Sequence, residues 1–308
     1  MLSYLLIALL IMGAVIIAGC NTEKRTESDN EKVVVTTTIS QIADAVENIG
    51  REHVEVQSLM GPGIDPHLYK AKQSDIGKLQ DADIIFYNGL HLEGKMLEIF
   101  EKMDAEKPTY AIANSIPKQQ LRKDAADETA MDPHVWFDID LWKTALVQVT
   151  EGLIEIDPNN KEAYEKNAEQ YFTKLDELKQ YAEAEMAKIP EEQKVLVTAH
   201  DAFNYFGAKY HLEVMGLQGL STDSEYGLRD VQNLVDTLVD RNIKAVFVES
   251  SISEKSINAV IEGAKDKNHQ VEIGGELYSD AMGEEGTEEG TYIGMYKHNV
   301  DTIVEALK

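Results

Sequence analysis

The tripeptide Asp-Pro-His occurs twice in the chain, at residues 65–67 and again at residues 132–134. Proline fixes its own φ and disfavours a helical conformation at the residue before it, so each histidine is expected on a stiff loop. A single copy would be an ordinary turn signal. Two copies raise the question of whether His67 and His134 belong to one site.

Two further side chains hold comparable positions in the second half of the chain. His200 closes the predicted strand KVLVTA, and Asp280 follows the predicted strand QVEIGGEL. His67 follows the predicted strand EVQSLM, and His134 follows an acidic loop. Ligands of an open α/β sheet gather in the loops at the carboxyl ends of its strands. The sequence therefore predicts one site in a cleft between two halves, built from two residues of each.

Three imidazoles and one carboxylate suit a divalent transition metal. Neutral imidazole binds zinc, copper, iron and nickel, and a carboxylate oxygen is also accepted by manganese. A hydrolytic metal usually keeps an open position beside three protein ligands, and the fourth ligand here weakens that interpretation. No HExxH, nucleophile elbow or phosphate loop occurs in the sequence. A metal-dependent hydrolase remains the alternative, with Glu249 as its general base.

Three more residues are candidates for supporting the ligands. Glu249, at the end of AVFVE, is placed to hydrogen-bond a ligand imidazole, although capping the following helix is an equal explanation. His91 in GLHLEG either supports the site or packs at a strand-to-helix turn. Arg229 in YGLRD is expected to pair with an acid near the cleft.

The elements that must position these residues alternate between strand and helix. VVVTTT, EVQSLM and DIIFYNG read as strands separated by amphipathic helices, and a second such series begins at KVLVTA. This pattern predicts an α/β fold of two lobes, each a mainly parallel β-sheet flanked by helices and each with its own core. A stretch from Asp157 without glycine, and without proline between Pro158 and Pro190, predicts one long connecting α-helix between them.

The amino terminus reads as an export signal. Residues 1–19 contain no Asp, Glu, Lys or Arg, and Ile17-Ala18-Gly19 precede the chain's only cysteine, Cys20. Small residues before a cysteine resemble a lipobox, which predicts a lipoprotein signal peptide at 1–19 and lipidation of Cys20. The signal lacks a basic n-region, so an uncleaved membrane anchor is the alternative. Residues 20–32 read as a flexible tether, followed by an amino-terminal lobe at 33–156, a connecting helix at 157–190 and a carboxy-terminal lobe at 191–308.

Charge narrows the choice of partners. The chain has 29 Lys and Arg against 55 Asp and Glu, and its formal charge of −26 would repel a nucleic-acid backbone. Nucleic acid is therefore not expected as a partner, and no organic cofactor is predicted. With Cys20 lipidated, no thiol remains for a disulfide, so the exported part must be stabilised by its core alone.

Seven motifs in order resemble one family. GPGIDPHLYKAKQSD, YNGLHLEG, DPHVW, LVTAHDAFNYFG, GLQGLSTDSE, AVFVESSISEKSI and ELYSDAMG are similar to segments of the metal-binding solute receptors of manganese and zinc ABC importers, most closely to manganese-binding lipoproteins. The resemblance implies that His67, His134, His200 and Asp280 are the metal ligands. It also implies two α/β lobes joined by one long helix.

The same resemblance implies a place and a partner for the protein. We expect a monomer, lipid-anchored on the extracytoplasmic face of the cell membrane, that delivers its ion to a membrane permease driven by a separate ATPase. Some members have Glu where this chain has His200, and the extra nitrogen shifts relative preference from Mn²⁺ toward Zn²⁺. Zinc receptors of this family often carry a histidine-rich acidic loop, and PKQQLRKDAADETAMD has no histidine. Mn²⁺ is therefore favoured as the cargo, with Zn²⁺ the close alternative.

Overall fold

A four-stranded parallel sheet forms the first half of the fold. Its strands are β1 (Val33–Thr37), β2 (Val54–Ser58), β3 (Ile84–Tyr87) and β4 (Thr109–Ala111), in the spatial order β2-β1-β3-β4. The computed structural model describes residues 32–123, 129–224 and 226–308, so the predicted signal peptide, Cys20 and nearly all of the tether lie outside the described residues. The central strands β1 and β3 are covered on both faces, which explains their unbroken apolar and β-branched sequences.

Helices cover this sheet. They are α1 (Ser40–Gly50), α2 (Gln73–Asp81), α3 (Leu97–Asp104) and α4 (Ile139–Ile156). The start of α4 is fixed by Asp138, whose side chain accepts hydrogen bonds from the backbone N–H groups of Asp140 and Leu141. Such an N-cap satisfies backbone donors that have no partner within the helix.

Two separate two-stranded parallel sheets form the second half. Strand β5 (Val195–His200) pairs with β6 (Glu213–Gln218), and β7 (Ala245–Glu249) pairs with β8 (Glu272–Leu277). The helices of this half are α6 (Asn204–Tyr210), α7 (Leu228–Asp240), α8 (Lys255–Asp266) and α9 (Tyr292–Leu307). The α/β class with parallel sheets between helices is confirmed.

The second half contains two parallel sheets where the sequence predicted one. Strands β5 and β7 lie side by side, but among the described residues no backbone ladder joins them. At the end of β5, the backbone N–H of His200 donates to the carboxylate of Glu249 at the end of β7, with a distance of 2.9 Å. The hydroxyl of Thr198 in turn donates to the carbonyl of His200. The backbone N–H and carbonyl of His200 are therefore bonded to side chains at the point where a ladder between β5 and β7 would use backbone groups.

One long helix, α5 (Lys161–Met186), follows the first half. A 3₁₀ turn at Pro158–Asn160 precedes it, so the α-helix begins four residues after Asp157 and ends four residues before Pro190. Its 26 residues give a length of about 39 Å. It packs against α1 and α4 of the first half and against α9 of the second. The predicted long helix is thus confirmed, with shorter bounds.

The main hydrophobic core crosses from one half to the other. Its buried members include Val35 and Ile85 in the first sheet and Phe203 and Tyr296 in the second half. A smaller cluster, which includes Val197, lies wholly within the second half. The expectation of a separate core for each lobe is therefore wrong, since Lys32–Lys308 form one compact unit. The division at 33–156, 157–190 and 191–308 stays a prediction.

Membrane-spanning helices are absent from the part of the chain that the structure describes. None of its helices combines the length and the apolar character needed to cross a bilayer.

A buried acid on α1 makes stability depend on pH. Asp44 is buried against the long helix, where its Oδ2 accepts a hydrogen bond from the hydroxyl of Tyr171 at 2.8 Å. Burial raises the pKa of Asp44 to about 6, although the bond from Tyr171 opposes the shift. Between the ordinary pKa of 3.8 and about pH 6, the folded protein therefore holds a proton on Asp44 that the unfolded chain has released. The stabilisation from this proton is lost as the pH rises through about 6.

Asp44→Asn removes the charge and keeps an oxygen that can accept from Tyr171. We expect the variant to raise the free energy of unfolding at pH 7 by about 2 to 3 kcal/mol, with no gain at pH 4. Urea unfolding at the two pH values measures this, with Glu55→Gln on the exposed side of β2 as the control. A variant as pH-sensitive as the wild type between pH 4 and 6 contradicts the assignment.

Candidate metal centre

The four side chains chosen from the sequence meet in one place. His67, His134, His200 and Asp280 each offer a ligand atom, and these atoms all lie within 4.8 Å of one another. All four residues are buried, with His67 the most accessible at 4% exposure. A buried cluster of three imidazoles and a carboxylate is the donor set of a transition-metal site.

Three of the four candidate ligands stand at or after the end of a strand, and His134 stands before a turn. His67 lies in the loop after β2, and His134 immediately precedes a 3₁₀ turn at Val135–Phe137. His200 is the last residue of β5, and Asp280 lies in the loop after β8. The carboxyl ends of the strands thus bring together residues more than 200 positions apart in the chain, as expected for an open α/β fold.

The spacing of the donor atoms fits one ion. The Oδ1 of Asp280 is 3.3 Å from Nε2 of His134, and its Oδ2 is 3.3 Å from Nε2 of His200. The Nε2 atom of His67 lies 3.4 Å from Nε2 of His134 and 3.8 Å from Oδ2 of Asp280. Ligands about 2.1 Å from a tetrahedral ion are about 3.4 Å apart, so a cation of this size fits between them.

Several donor atoms have no other partner. Both carboxylate oxygens of Asp280 and the Nε2 of His200 are buried without a hydrogen bond. They lie at ion-pair distance from each other but lack the alignment of a hydrogen bond. Buried polar atoms are nearly always hydrogen-bonded, and exceptions need a cause. A cation at the centre would satisfy all three atoms at once.

The aspartates of the two Asp-Pro-His motifs orient the histidines. In each motif Oδ1 of the aspartate accepts a hydrogen bond of 2.9 Å from the backbone N–H of the histidine two residues later. In the second motif Oδ1 of Asp132 also accepts from Nδ1 of His134, at 2.8 Å. This contact fixes the tautomer that leaves Nε2 free to bind metal. The sequence interpretation credited the proline with stiffness and missed this role, although the repeated spacing was its signal.

Glu249 makes the contact that its position suggested. Its Oε2 lies 2.6 Å from Nδ1 of His200, and its Oε1 accepts from the backbone N–H of the same residue. It therefore faces the side of the imidazole opposite the metal-binding Nε2. Arg229 and His91 are different: within the described residues neither contacts any of the four ligands. Arg229 is exposed near the start of α7, and His91 is exposed on the wall of a cavity that also reaches His67.

Hydrogen bonds from the first half hold the Asp280 loop. The indole Nε1–H of Trp136 donates to the carbonyl of Ser279 at 3.1 Å, and the amide of Gln41 donates to the carbonyl of Asp280 at 3.1 Å. Trp136 stands two residues after His134, so one short segment supplies a ligand and also positions the carboxylate opposite. The sequence has no signal for this bond.

A second buried acid supports the His134 loop. Glu93 accepts hydrogen bonds from the hydroxyl of Thr38 and from the backbone N–H groups of Asn88 and Gly89. The side chain of Asn88 then donates to the carbonyl of Pro133 at 3.0 Å. These bonds connect the end of β3 to the residue before His134. The motif YNGLHLEG thus acts through Asn88 and Glu93, which the sequence analysis did not single out.

The ligand histidines differ in the charge around them. Burial lowers the pKa of His67 to about 3, since the carboxylates of Asp280 and Asp223 oppose the shift but His134 and His200 add to it. Burial also lowers the pKa of His134, but the carboxylates of Asp132 and Asp280 outweigh it and raise that pKa to about 9. His134 therefore carries a proton at neutral pH when no metal is present.

Neighbouring carboxylates also outweigh burial in setting the pKa of His200. Burial lowers its pKa, and the charges of Glu249 and Asp280 outweigh burial and raise the pKa well above its ordinary value. Burial raises the pKa of Asp280 in turn, yet the facing imidazoles hold it well below its ordinary range. The carboxylates thus favour positive charge at the imidazoles that face them. A divalent cation bound by the same atoms would supply such charge.

Comparison with known proteins identifies the family of the chain. The profile of the family described as the periplasmic component A of the zinc-uptake complex (ZnuA) matches residues 35–306. The chain is 55% identical over 303 residues to the manganese-binding lipoprotein MntA of Bacillus subtilis, which covers 98% of this chain and 99% of that protein. It is 31% identical to the manganese ABC transporter substrate-binding lipoprotein PsaA of Streptococcus pneumoniae serotype 4, over 97% of this chain and 96% of PsaA.

A solved structure has the same fold. The periplasmic zinc-binding protein TroA of Treponema pallidum superposes with a TM-score of 0.88 at 46% identity, covering 90% of this chain and 99% of that one. The match includes the parallel sheets and the long helix between the halves. The resemblance carried by the seven motifs is thereby confirmed, and the chain belongs to the ZnuA family of metal-uptake proteins.

Proposed function

We propose that this protein is an extracytoplasmic receptor that binds one divalent transition metal and delivers it to the permease of an ABC importer. The observation that carries the proposal is the buried cluster of three imidazoles and one carboxylate, whose donor atoms are spaced for an ion. Three of those atoms, both oxygens of Asp280 and Nε2 of His200, have no hydrogen-bond partner. The names of the relatives support it, since they describe manganese-binding and zinc-binding transport components.

Mn²⁺ is the favoured cargo, and Zn²⁺ is the close alternative. The relative with 55% identity is named for manganese and the one with 46% identity for zinc. Three nitrogens and one carboxylate bind zinc more tightly than manganese in general, because affinity rises toward the later metals of the series. Selection of manganese would then depend on metal availability and on the geometry of the site as much as on intrinsic affinity.

The hydrolase alternative finds less support in the geometry. A catalytic metal keeps a position open for water, whereas four protein ligands converge here and all are buried. Its candidate base, Glu249, is directed at the back of the His200 imidazole and away from the metal position. The residues around the ion therefore hold it and leave no group free to activate water.

The location and partners belong to the same proposal. The lipoprotein names of the relatives support lipidation of Cys20 and attachment to the outer face of the cell membrane. The names of the ABC-transporter relatives support a permease with its ATPase as the partner. We take the receptor to act as a monomer, because the four ligands come from one chain.

Replacing a ligand should abolish tight binding, and the chain provides a matched control. His67→Gln removes one imidazole nitrogen from the ion, and we expect its affinity for Mn²⁺ and for Zn²⁺ to fall at least about a hundredfold. His91→Gln changes the other histidine on the same cavity and should stay within about threefold. Calorimetric titration of metal-free protein, with manganese and zinc in competition, measures both. Equal affinities for His67→Gln and the wild type would remove His67 from the site.

Glu249→Gln tests the support of His200. The amide can still accept from the backbone N–H of His200, but it cannot hold the imidazole in one tautomer as a carboxylate does. We expect affinity to fall about 10- to 100-fold while the fold is kept. Asp201→Asn is the control, because its Oδ1 accepts only from the backbone N–H of Gly216 among its described hydrogen bonds. A hydrolase activity that Glu249→Gln abolishes with metal retained would overturn the receptor proposal.

A further inference from the structure

A cavity of about 360 Å³ leads from the surface to the metal centre. Residues of both halves line it, among them Leu90, Pro133 and Leu217. Of the four metal ligands only His67 lies on its wall, while the other three are at most 1% exposed. Within the described residues, an ion that uses this cavity therefore passes His67 to reach or leave the centre.

One wall of this cavity is a short loop of the second half. The loop Gly219–Ser224 follows β6, and four of its six residues line the cavity. Two contacts attach it to the first half across the cavity. The hydroxyl of Thr222 donates to Oδ2 of Asp65 at 2.6 Å, and Nζ of Lys95 lies 2.6 Å from Oδ2 of Asp223. The loop belongs to GLQGLSTDSE, a motif that the four-ligand site leaves unexplained.

These two contacts differ in strength. Both side chains of the pair between Lys95 and Asp223 are substantially exposed, at 35% and 53%, and exposed ion pairs contribute little. Thr222 and Asp65 are half-buried, and their hydrogen bond has a charged acceptor. Such bonds are shorter and roughly twice as strong as neutral ones. The contact that holds the loop is therefore the one to Asp65.

Asp65 also holds a metal ligand. Its Oδ1 accepts from the backbone N–H of His67 at 2.9 Å, while its Oδ2 accepts from Thr222. The equivalent Asp132 makes a different use of its carboxylate: Oδ1 serves both the backbone and the ring of His134, and Oδ2 is buried without a hydrogen bond. The aspartate of the first motif thus bonds to the loop Gly219–Ser224, whereas the aspartate of the second motif bonds to the imidazole of His134.

The ring of His67 is not oriented by a carboxylate. Among the described contacts no carboxylate lies on the Nδ1 of His67, in contrast to His134 with Asp132 and His200 with Glu249. A ligand ring without an outer hydrogen bond is the least constrained in orientation. His67 is therefore the ligand nearest the cavity and also the ligand held mainly through its backbone, by Asp65.

We infer that Asp65 is a positioning residue that couples His67 to the loop Gly219–Ser224, and that its hydrogen bond with Thr222 controls metal exchange. The inference rests on the proposed receptor function. When this bond opens, the loop can leave the cavity wall and the carboxylate that orients His67 becomes free to move. Neither Asp65 nor Thr222 is one of the four ligands, so loss of their bond should speed both uptake and release and change the equilibrium affinity much less.

Thr222→Val tests the coupling, because valine keeps the shape of threonine and lacks the hydroxyl. We expect it to release bound Mn²⁺ about tenfold faster into excess chelator in stopped-flow measurements. Its Kd should rise by no more than about threefold. Thr222→Ser keeps a hydroxyl and should release at nearly the wild-type rate. Lys95→Met, which breaks only the exposed ion pair, should stay within about twofold.

The outcomes separate this inference from the function on which it rests. A wild-type protein that binds neither Mn²⁺ nor Zn²⁺ contradicts the proposed function. If the wild type binds tightly but Thr222→Val releases Mn²⁺ at the wild-type rate, the coupling alone is overturned. The same holds if Thr222→Val and Thr222→Ser release Mn²⁺ at equal rates. The coupling is also overturned if the Kd of Thr222→Val rises by the same factor as its release rate. The uptake rate would then be unchanged, and the bond would stabilise only the metal-loaded state. Circular dichroism and thermal unfolding establish that the variants compared are folded.

Discussion

The carboxylate of Asp280 is a buried charge whose nearest polar neighbours are imidazole nitrogens, 3.3 Å away. It is 1% exposed, and neither oxygen has a hydrogen-bond partner. A buried charge is costly unless it is paired, and three imidazoles facing it supply the only pairing among the described residues. The rest of the site follows from this requirement. A divalent ion at the centre compensates the carboxylate and gives every imidazole a partner, so the same atoms that are costly without metal become a coordination sphere with it.

The surrounding structure keeps this arrangement from collapsing. Asp132 and Glu249 stand behind two of the imidazoles, and hydrogen bonds from Trp136 and Gln41 fix the backbone on either side of the Asp280 loop. The bonds from Trp136 and Gln41 run between the two halves of the chain, as does the main hydrophobic core. Sharing one core limits how far the halves can separate. Exchange of the ion then depends on local elements at the cavity, where His67 is the one ligand accessible to it.

Much of the fold and the clustering of the four candidate ligands could be predicted from the sequence, for a definite reason. Alternating strands and helices imply a parallel sheet, and in such a sheet strand ends converge, which singled out His67, His134, His200 and Asp280 from eight histidines and many acids. Glu249 was found by the same rule. What could not be predicted depends on which side chain meets which across the halves. The bond from Thr222 to Asp65, the bond from Trp136 to Ser279 and the shared core involve contacts that no periodicity encodes. The missing backbone ladder between β5 and β7 belongs to the same class.

The central claim is that one ion is held at once by four buried side chains. Anomalous diffraction from crystals grown separately with Mn²⁺ and with Zn²⁺ tests it most directly, because it locates each ion independently of any assumption about its ligands. The account predicts a single strong anomalous peak within about 2.0 to 2.3 Å of Nε2 of His67, His134 and His200 and of a carboxylate oxygen of Asp280. A peak elsewhere, or an ion bound by only some of these residues with the others hydrogen-bonded to one another, would contradict it.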